Sequence, residues 1–84
     1  MKIYKFYADW CMPCKQLTKK LESSGVNDLI IPIDCDEDSD DLCGKYGIHN
    51  IPTIVFADDN GNMLDKISGN VSVQVIKDKI DQLK

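Results

Sequence analysis

No run of about 18–20 apolar residues, the length needed to cross a bilayer, occurs in this chain. Strand-like sequence begins at Lys2, which leaves no room for the apolar core of a secretory leader. The expected location is therefore the cytoplasm. No basic stripe interrupts a chain of net charge -4, so neither nucleic acid nor an anionic membrane surface is an expected partner. There is no GxGxxG turn and no Walker loop, hence no nucleotide cofactor motif. Internal repeats and low-complexity linkers are absent. The acidic run Asp34, Asp36, Glu37, Asp38, Asp40 and Asp41 lacks the glycine and closing glutamate of a calcium loop. It reads as a solvated loop leading into a helix. Zinc is disfavoured as well: Cys35, Cys43 and His49 are available donors, but no second CxxC exists. His49 is expected on a solvated loop.

What is present fits one small domain over residues 1–84. The expected elements run βαβαββα. Strand one covers Lys2–Ala8. Helix one covers Pro13–Ser24, with Cys14, Leu17, Thr18 and Leu21 on one face, and Gly25 stops it. Strand two, Leu29–Cys35, is apolar enough for burial on both faces. Ser39 or Asp40 is expected to cap a short second helix through Tyr46, stopped by Gly47. Strand three is Thr53–Ala57 and strand four Met63–Ile67, joined through Asp59-Asn60-Gly61-Asn62, which predicts a type I′ hairpin. Ser72 caps a last helix whose Val73, Ile76, Ile80 and Leu83 form an apolar stripe. A right-handed crossover makes strands one and two parallel. The expected fold is α/β: a four-stranded mixed sheet, order 2-1-3-4, flanked by three helices.

The chemistry sits at Trp10-Cys11-Met12-Pro13-Cys14-Lys15. A strand, then CxxC, then a helix is the arrangement of a thiol–disulfide exchange site. The first cysteine falls at the helix N-terminus, where unpaired N–H groups favour a thiolate. Cys11 is expected nearer the solvent and is the nucleophile. Cys14, one turn in on the buried face, resolves the mixed disulfide. Trp10 is read either as bordering the groove or as core packing. Met12 is expected exposed, and Pro13 restrains the dithiol ring.

With these residues the chain resembles the thioredoxin family over nearly its whole length, without the N-terminal strand and helix of a full-size member. Ala8-Asp9-Trp10-Cys11-Met12-Pro13-Cys14-Lys15 is similar to the family's A-x-W-C-x-P-C-K. Lys45-Tyr46-Gly47-Ile48 and Ile51-Pro52-Thr53 match its cis-proline loop. Ser68-Gly69-Asn70 matches the glycine loop beside the substrate groove. The resemblance implies a cis Pro52 facing the dithiol, an Ile51 backbone that pairs with an extended substrate, and Gly69 at the groove. It also implies client protein disulfides, a reductase-like electron donor, no cofactor beyond the Cys11–Cys14 couple, and a monomer. A glutaredoxin-like protein, an oxidant or isomerase, and a redox-inert binding module are the alternatives.

One position departs from the family. Lys5 stands where a buried aspartate is usual beneath the second cysteine, and the neighbouring-strand position is Pro32. Lys5 is expected either to snorkel to solvent or to lie near Cys14 and stabilise its thiolate. Asp9 is the remaining nearby carboxylate and is expected to be exposed. Cys35 and Cys43 are expected as buried free cysteines. A second disulfide is the other reading, and it requires Cα atoms within about 7 Å.

Overall fold

A computed structural model of the chain describes residues 1–38 and 40–84. β1 is Lys2–Tyr7, α1 is Met12–Ser24, β2 is Ile30–Asp34 and α2 is Leu42–Lys45. β3 is Thr53–Ala57, β4 is Met63–Ser68 and α3 is Val73–Leu83. The sheet order is β2-β1-β3-β4. β1 and β2 run parallel, with Lys5 opposite Pro32. β3 is antiparallel to both β1 and β4.

Alternation along β1 sorts its side chains between two cores. On one face Ile3, Ile30, Ile54 and Phe56 pack against Leu17 and Leu21 of α1 and Ile76 and Ile80 of α3. On the other face Tyr4, Phe6, Val55 and Ala57 meet Tyr46, which follows α2. The Tyr46 ring lies 5.8 Å from Tyr4 and 6.3 Å from Phe6, and its hydroxyl donates to the Gly61 carbonyl at 2.8 Å. Its polar end is thus satisfied while its ring is buried. β3 is buried along its whole length, as a central strand between two covered faces must be.

The elements differ from the sequence expectation at their ends, and each difference has a local cause. β1 stops at Tyr7 because the Ala8 carbonyl accepts the Cys11 N–H at 3.1 Å, which turns the chain. α1 begins at Met12, with Cys11 at the N-cap and proline in the first turn. The expected strand two is trimmed at both ends by 3-10 turns over Val26–Leu29 and Cys35–Glu37. Asp34 Oδ1 accepts the Asp36 N–H at 2.9 Å, an Asx turn that ends the strand.

α2 starts later than expected. Asp41 occupies its N-cap position in a left-handed conformation, and Asp38 Oδ2 takes the Cys43 N–H at 2.7 Å. The capping carboxylate is therefore Asp38, not Asp40; Ser39 lies outside the described residues. The β3–β4 hairpin forms, but not through a type I′ turn. Gly61 has positive φ while Asn60 does not. Asp58 closes a longer loop: its N–H donates to the Asn62 carbonyl, and its Oδ1 accepts from the Asn60 and Asn62 N–H groups, each at 2.9 Å. Three hydrogen bonds to one aspartate, one donated and two accepted, outcompete the two-residue turn.

Candidate active site

β1 carries the chain to a turn at Asp9 and Trp10, and α1 begins immediately after it. Cys11 and Cys14 are joined by a disulfide, with Cα atoms 5.2 Å apart. The Cys14 N–H points at Cys11 Sγ from 3.2 Å. After reduction this donor, with the partial positive charge of the helix start, favours a thiolate on Cys11. In the disulfide state both cysteines are buried, at 5% and 2% exposure, so solvent access separates them less than expected. What separates them is position. Cys11 caps the helix at its open end, whereas Cys14 lies within the helix on the buried face it shares with Leu17 and Leu21.

The Ile51–Pro52 peptide bond is cis. It places the Ile51 carbonyl 3.8 Å from Cys11 Sγ. The disulfide sulfur has no proton, so this approach becomes a hydrogen bond only in the thiol. Pro52 is buried, and its carbonyl accepts the Gly69 N–H at 2.8 Å. Gly69 can serve this turn because its φ is +96°, a conformation that a side chain penalises. Thr53 Oγ1 donates to the Asn50 carbonyl at 2.6 Å. The glycine loop is fastened to α1 by Asn70 Nδ2 on Gln16 Oε1 and by Lys20 Nζ on the Val71 carbonyl, each at 2.9 Å. Cys11, Ile51, Pro52 and Gly69 therefore share one rim.

Trp10 and Met12, at 71% and 61% exposure, flank Cys11 as apolar surface, and Pro13 is exposed beside them. The core-packing alternative for Trp10 does not occur. Its Nε1–H donates to Asp36 Oδ2 at 3.0 Å, which fixes the indole against the turn after β2. Asp9 and His49 are exposed.

Lys5 does not snorkel to solvent, because it is 5% exposed. Its ammonium donates to Thr18 Oγ1 at 2.8 Å and lies 5.7 Å from the Tyr7 ring centre. Alternation along β1 turns the side chain toward α1, and Thr18 is the hydroxyl one turn beyond Cys14 on that helix. Burial lowers the Lys5 pKa, and Glu22 opposes that in part. Cys14 and Thr18 line a cleft of about 360 Å³, with Tyr7, Ala8, Asp9 and Glu22 among its other walls. Partial burial, then Asp34, Asp9 and Glu37, raises the Tyr7 phenol, which stays protonated at neutral pH.

Cys35 and Cys43 are not free. They form a second disulfide between the turn after β2 and α2, with Cα atoms 6.2 Å apart. The sequence reading did not single out Asp36, Thr18 or Gln16. Each acts through a partner distant in the chain, a relation no local pattern displays. Among the described residues, no group of three or more His, Cys, Asp and Glu side chains is placed to hold a metal.

A family profile described as thioredoxin matches residues 1–82. Thioredoxin-1 of Caenorhabditis elegans is 36% identical over 72 residues, covering 82% of this chain and 61% of that protein. Protein disulfide isomerase-like 2-1 of Oryza sativa subsp. japonica is 40% identical over 58 residues, covering 62% of this chain and 16% of its own length. Among solved structures, thioredoxin of Fasciola hepatica superposes with a TM-score of 0.79 at 27% identity, covering 98% of this chain and 79% of that one. The chain thus spans about three fifths of the nematode protein and a small part of the rice one.

Proposed function

The chain belongs to the thioredoxin family, and from that premise we propose that it reduces protein disulfides by cycling Cys11 and Cys14 between dithiol and disulfide. The reading rests on one observation above the others: the Cys11–Cys14 pair faces the Ile51 carbonyl across an apolar rim. The Cys11 thiolate attacks one sulfur of a client disulfide. A bond forms between Cys11 and the client, and the other client sulfur leaves as a thiolate. Cys14, deprotonated in its turn, attacks the Cys11 sulfur, expels the second client sulfur and closes the disulfide. Two electrons have then passed to the client.

An extended client segment docks beside Ile51. Among the described residues the Ile51 N–H makes no hydrogen bond, so it and the carbonyl are free to pair with a client backbone. Backbone pairing tolerates varied client sequences, and Trp10, Met12 and Pro13 supply apolar contact around the sulfur. A reductase with its own dithiol returns the electrons. The chain acts as a cytoplasmic monomer and needs no cofactor beyond its own sulfurs.

The test is turnover of a protein disulfide with dithiothreitol as terminal reductant. Wild type is expected to be active and Cys11→Ser reduced to background; activity retained in Cys11→Ser would overturn the reading. The rice relative and the Met12-Pro13 pair inside the ring favour an oxidant or isomerase as the second reading. The reduction potential separates the two. A value well below a glutathione pool near about −240 mV marks a reductant, and a value at or above it marks an oxidant or isomerase.

A further inference from the structure

The second disulfide lies where the first can feel it. Cys35 opens the 3-10 turn after β2, and the next residue, Asp36, holds the Trp10 indole. Trp10 in turn precedes Cys11. Cys43 lies in α2, and its N–H is held by Asp38. The Cys35–Cys43 bond therefore pins the turn that positions Asp36, and through Asp36 the side chain beside the nucleophile. Both cysteines are partly exposed, whereas Cys11 and Cys14 are buried. A small thiol thus reaches the second pair more readily than the first. The bond closes a short loop, with a sequence separation of 8. Short loops gain less from cross-linking than long ones, and both cysteines pack only at the margin of the Tyr4–Phe6–Tyr46 core, so the fold is expected to survive its opening.

The surroundings select the exchange partner. Asp34, Asp36, Glu37, Asp38 and Asp41 lie on the segments that carry Cys35 and Cys43. Their field opposes a thiolate at either sulfur and repels anionic reagents. A cationic disulfide is drawn in and stabilises the attacking thiolate as it forms.

We propose that Cys35 and Cys43 form a second thiol–disulfide exchange site, served by cationic thiols and disulfides, whose redox state sets the position of Trp10 beside Cys11. In the reducing direction two thiols are oxidised to one disulfide, and their protons pass to Cys35 and Cys43. In the oxidising direction a disulfide takes two electrons from the pair and leaves as two thiols.

The full-length Cys11→Ser/Cys14→Ser variant isolates this site, so its outcome is independent of the reductase reading. It is reduced and then mixed with cystamine or with oxidised glutathione. Alkylation with mass readout follows Cys35 and Cys43, and fluorescence follows Trp10, the only tryptophan. The expected result is an intramolecular bond formed about tenfold faster with cystamine, the preference shrinking at high salt, with Trp10 emission changing at the same rate. Asp36→Asn in that background should keep the exchange and weaken the fluorescence change. Should the double variant fold poorly, the same exchange and emission readouts are taken on the wild-type chain, with mass spectrometry assigning the Cys35–Cys43 bond. Exchange without charge preference, Trp10 emission indifferent to the bond, or a pair that never closes in either chain would each overturn the proposal.

Discussion

Cys11 Sγ sits 3.8 Å from the Ile51 carbonyl oxygen, forty residues further along the chain. The contact joins the start of a helix to a cis-proline loop, and it makes the two cysteines unequal. With Cys14→Ser the attack by Cys11 still occurs but resolution does not. A protein disulfide offered to this variant should accumulate as a mixed disulfide on Cys11, visible as added mass. Cys11→Ser should form no such adduct. An adduct on Cys14 instead would reverse the assigned roles.

Gly69 carries a positive φ and donates to the Pro52 carbonyl. No atom lies within 4 Å of where a Cβ would sit, so a side chain here meets backbone strain alone. Gly69→Ala should lose about 1–2 kcal/mol in urea unfolding. It should also slow client reduction, because the strained loop forms the rim beside Pro52.

Lys5 carries a buried charge whose one hydrogen-bond partner is the Thr18 hydroxyl. Its pKa is lowered in the folded chain, mainly by burial. The unfolded chain then binds more protons only between the folded and unfolded values, and below that window both chains are charged and the folded one bears the full penalty. It is relieved as pH rises through the lowered pKa toward about 10.4. Lys5→Met, which is similar in volume, should stabilise the chain by on the order of 1 kcal/mol at pH 7. The gain should narrow near pH 10. Urea titrations at the two pH values measure it, and a gain that grows with pH contradicts the assignment.

Asp65 Oδ2 meets Lys79 Nζ at 2.6 Å and ties β4 to α3. The Lys79 hydrogen bond, then the Lys66 N–H, holds the Asp65 carboxyl below its usual pKa. Asp58 is likewise lowered, first by the Asn62 N–H. A depressed carboxylate stabilises the fold above its unfolded pKa and loses that contribution as pH falls through the folded one. Stability should therefore decline below about pH 4. Asp65→Asn should cost no more than about 1 kcal/mol at pH 7, because the pair is partly exposed, and should flatten the acid limb of the pH profile.

The strand order and the site cysteines were legible because both are written in local pattern. Apolar runs mark β1 and β3, Asn60-Gly61 marks a reversal, and Cys11 and Cys14 sit three apart. The turn type at 58–62 was not legible, since it depends on Asp58 capturing backbone N–H groups that a two-residue rule ignores. The start of α2 was misplaced for the same reason: Asp38 reaches five residues forward to Cys43. The Cys35–Cys43 bond, the Trp10–Asp36 hydrogen bond and the Lys5–Thr18 pair are decided by how β2, α1 and α2 stand beside one another. Sequence spacing offered the second disulfide only as one of two readings and carried no sign of the other two contacts.

β2 is an outer strand of the sheet, and Pro32 lies within it. Proline offers no N–H, so the row of donors along that strand is interrupted near its middle. Ile31 beside it is 42% exposed, the kind of apolar edge on which a second molecule would otherwise align and propagate. The proline that lies opposite Lys5 thus serves as a guard against self-association. Its replacement by valine would restore a continuous edge and lower the concentration at which the protein begins to aggregate.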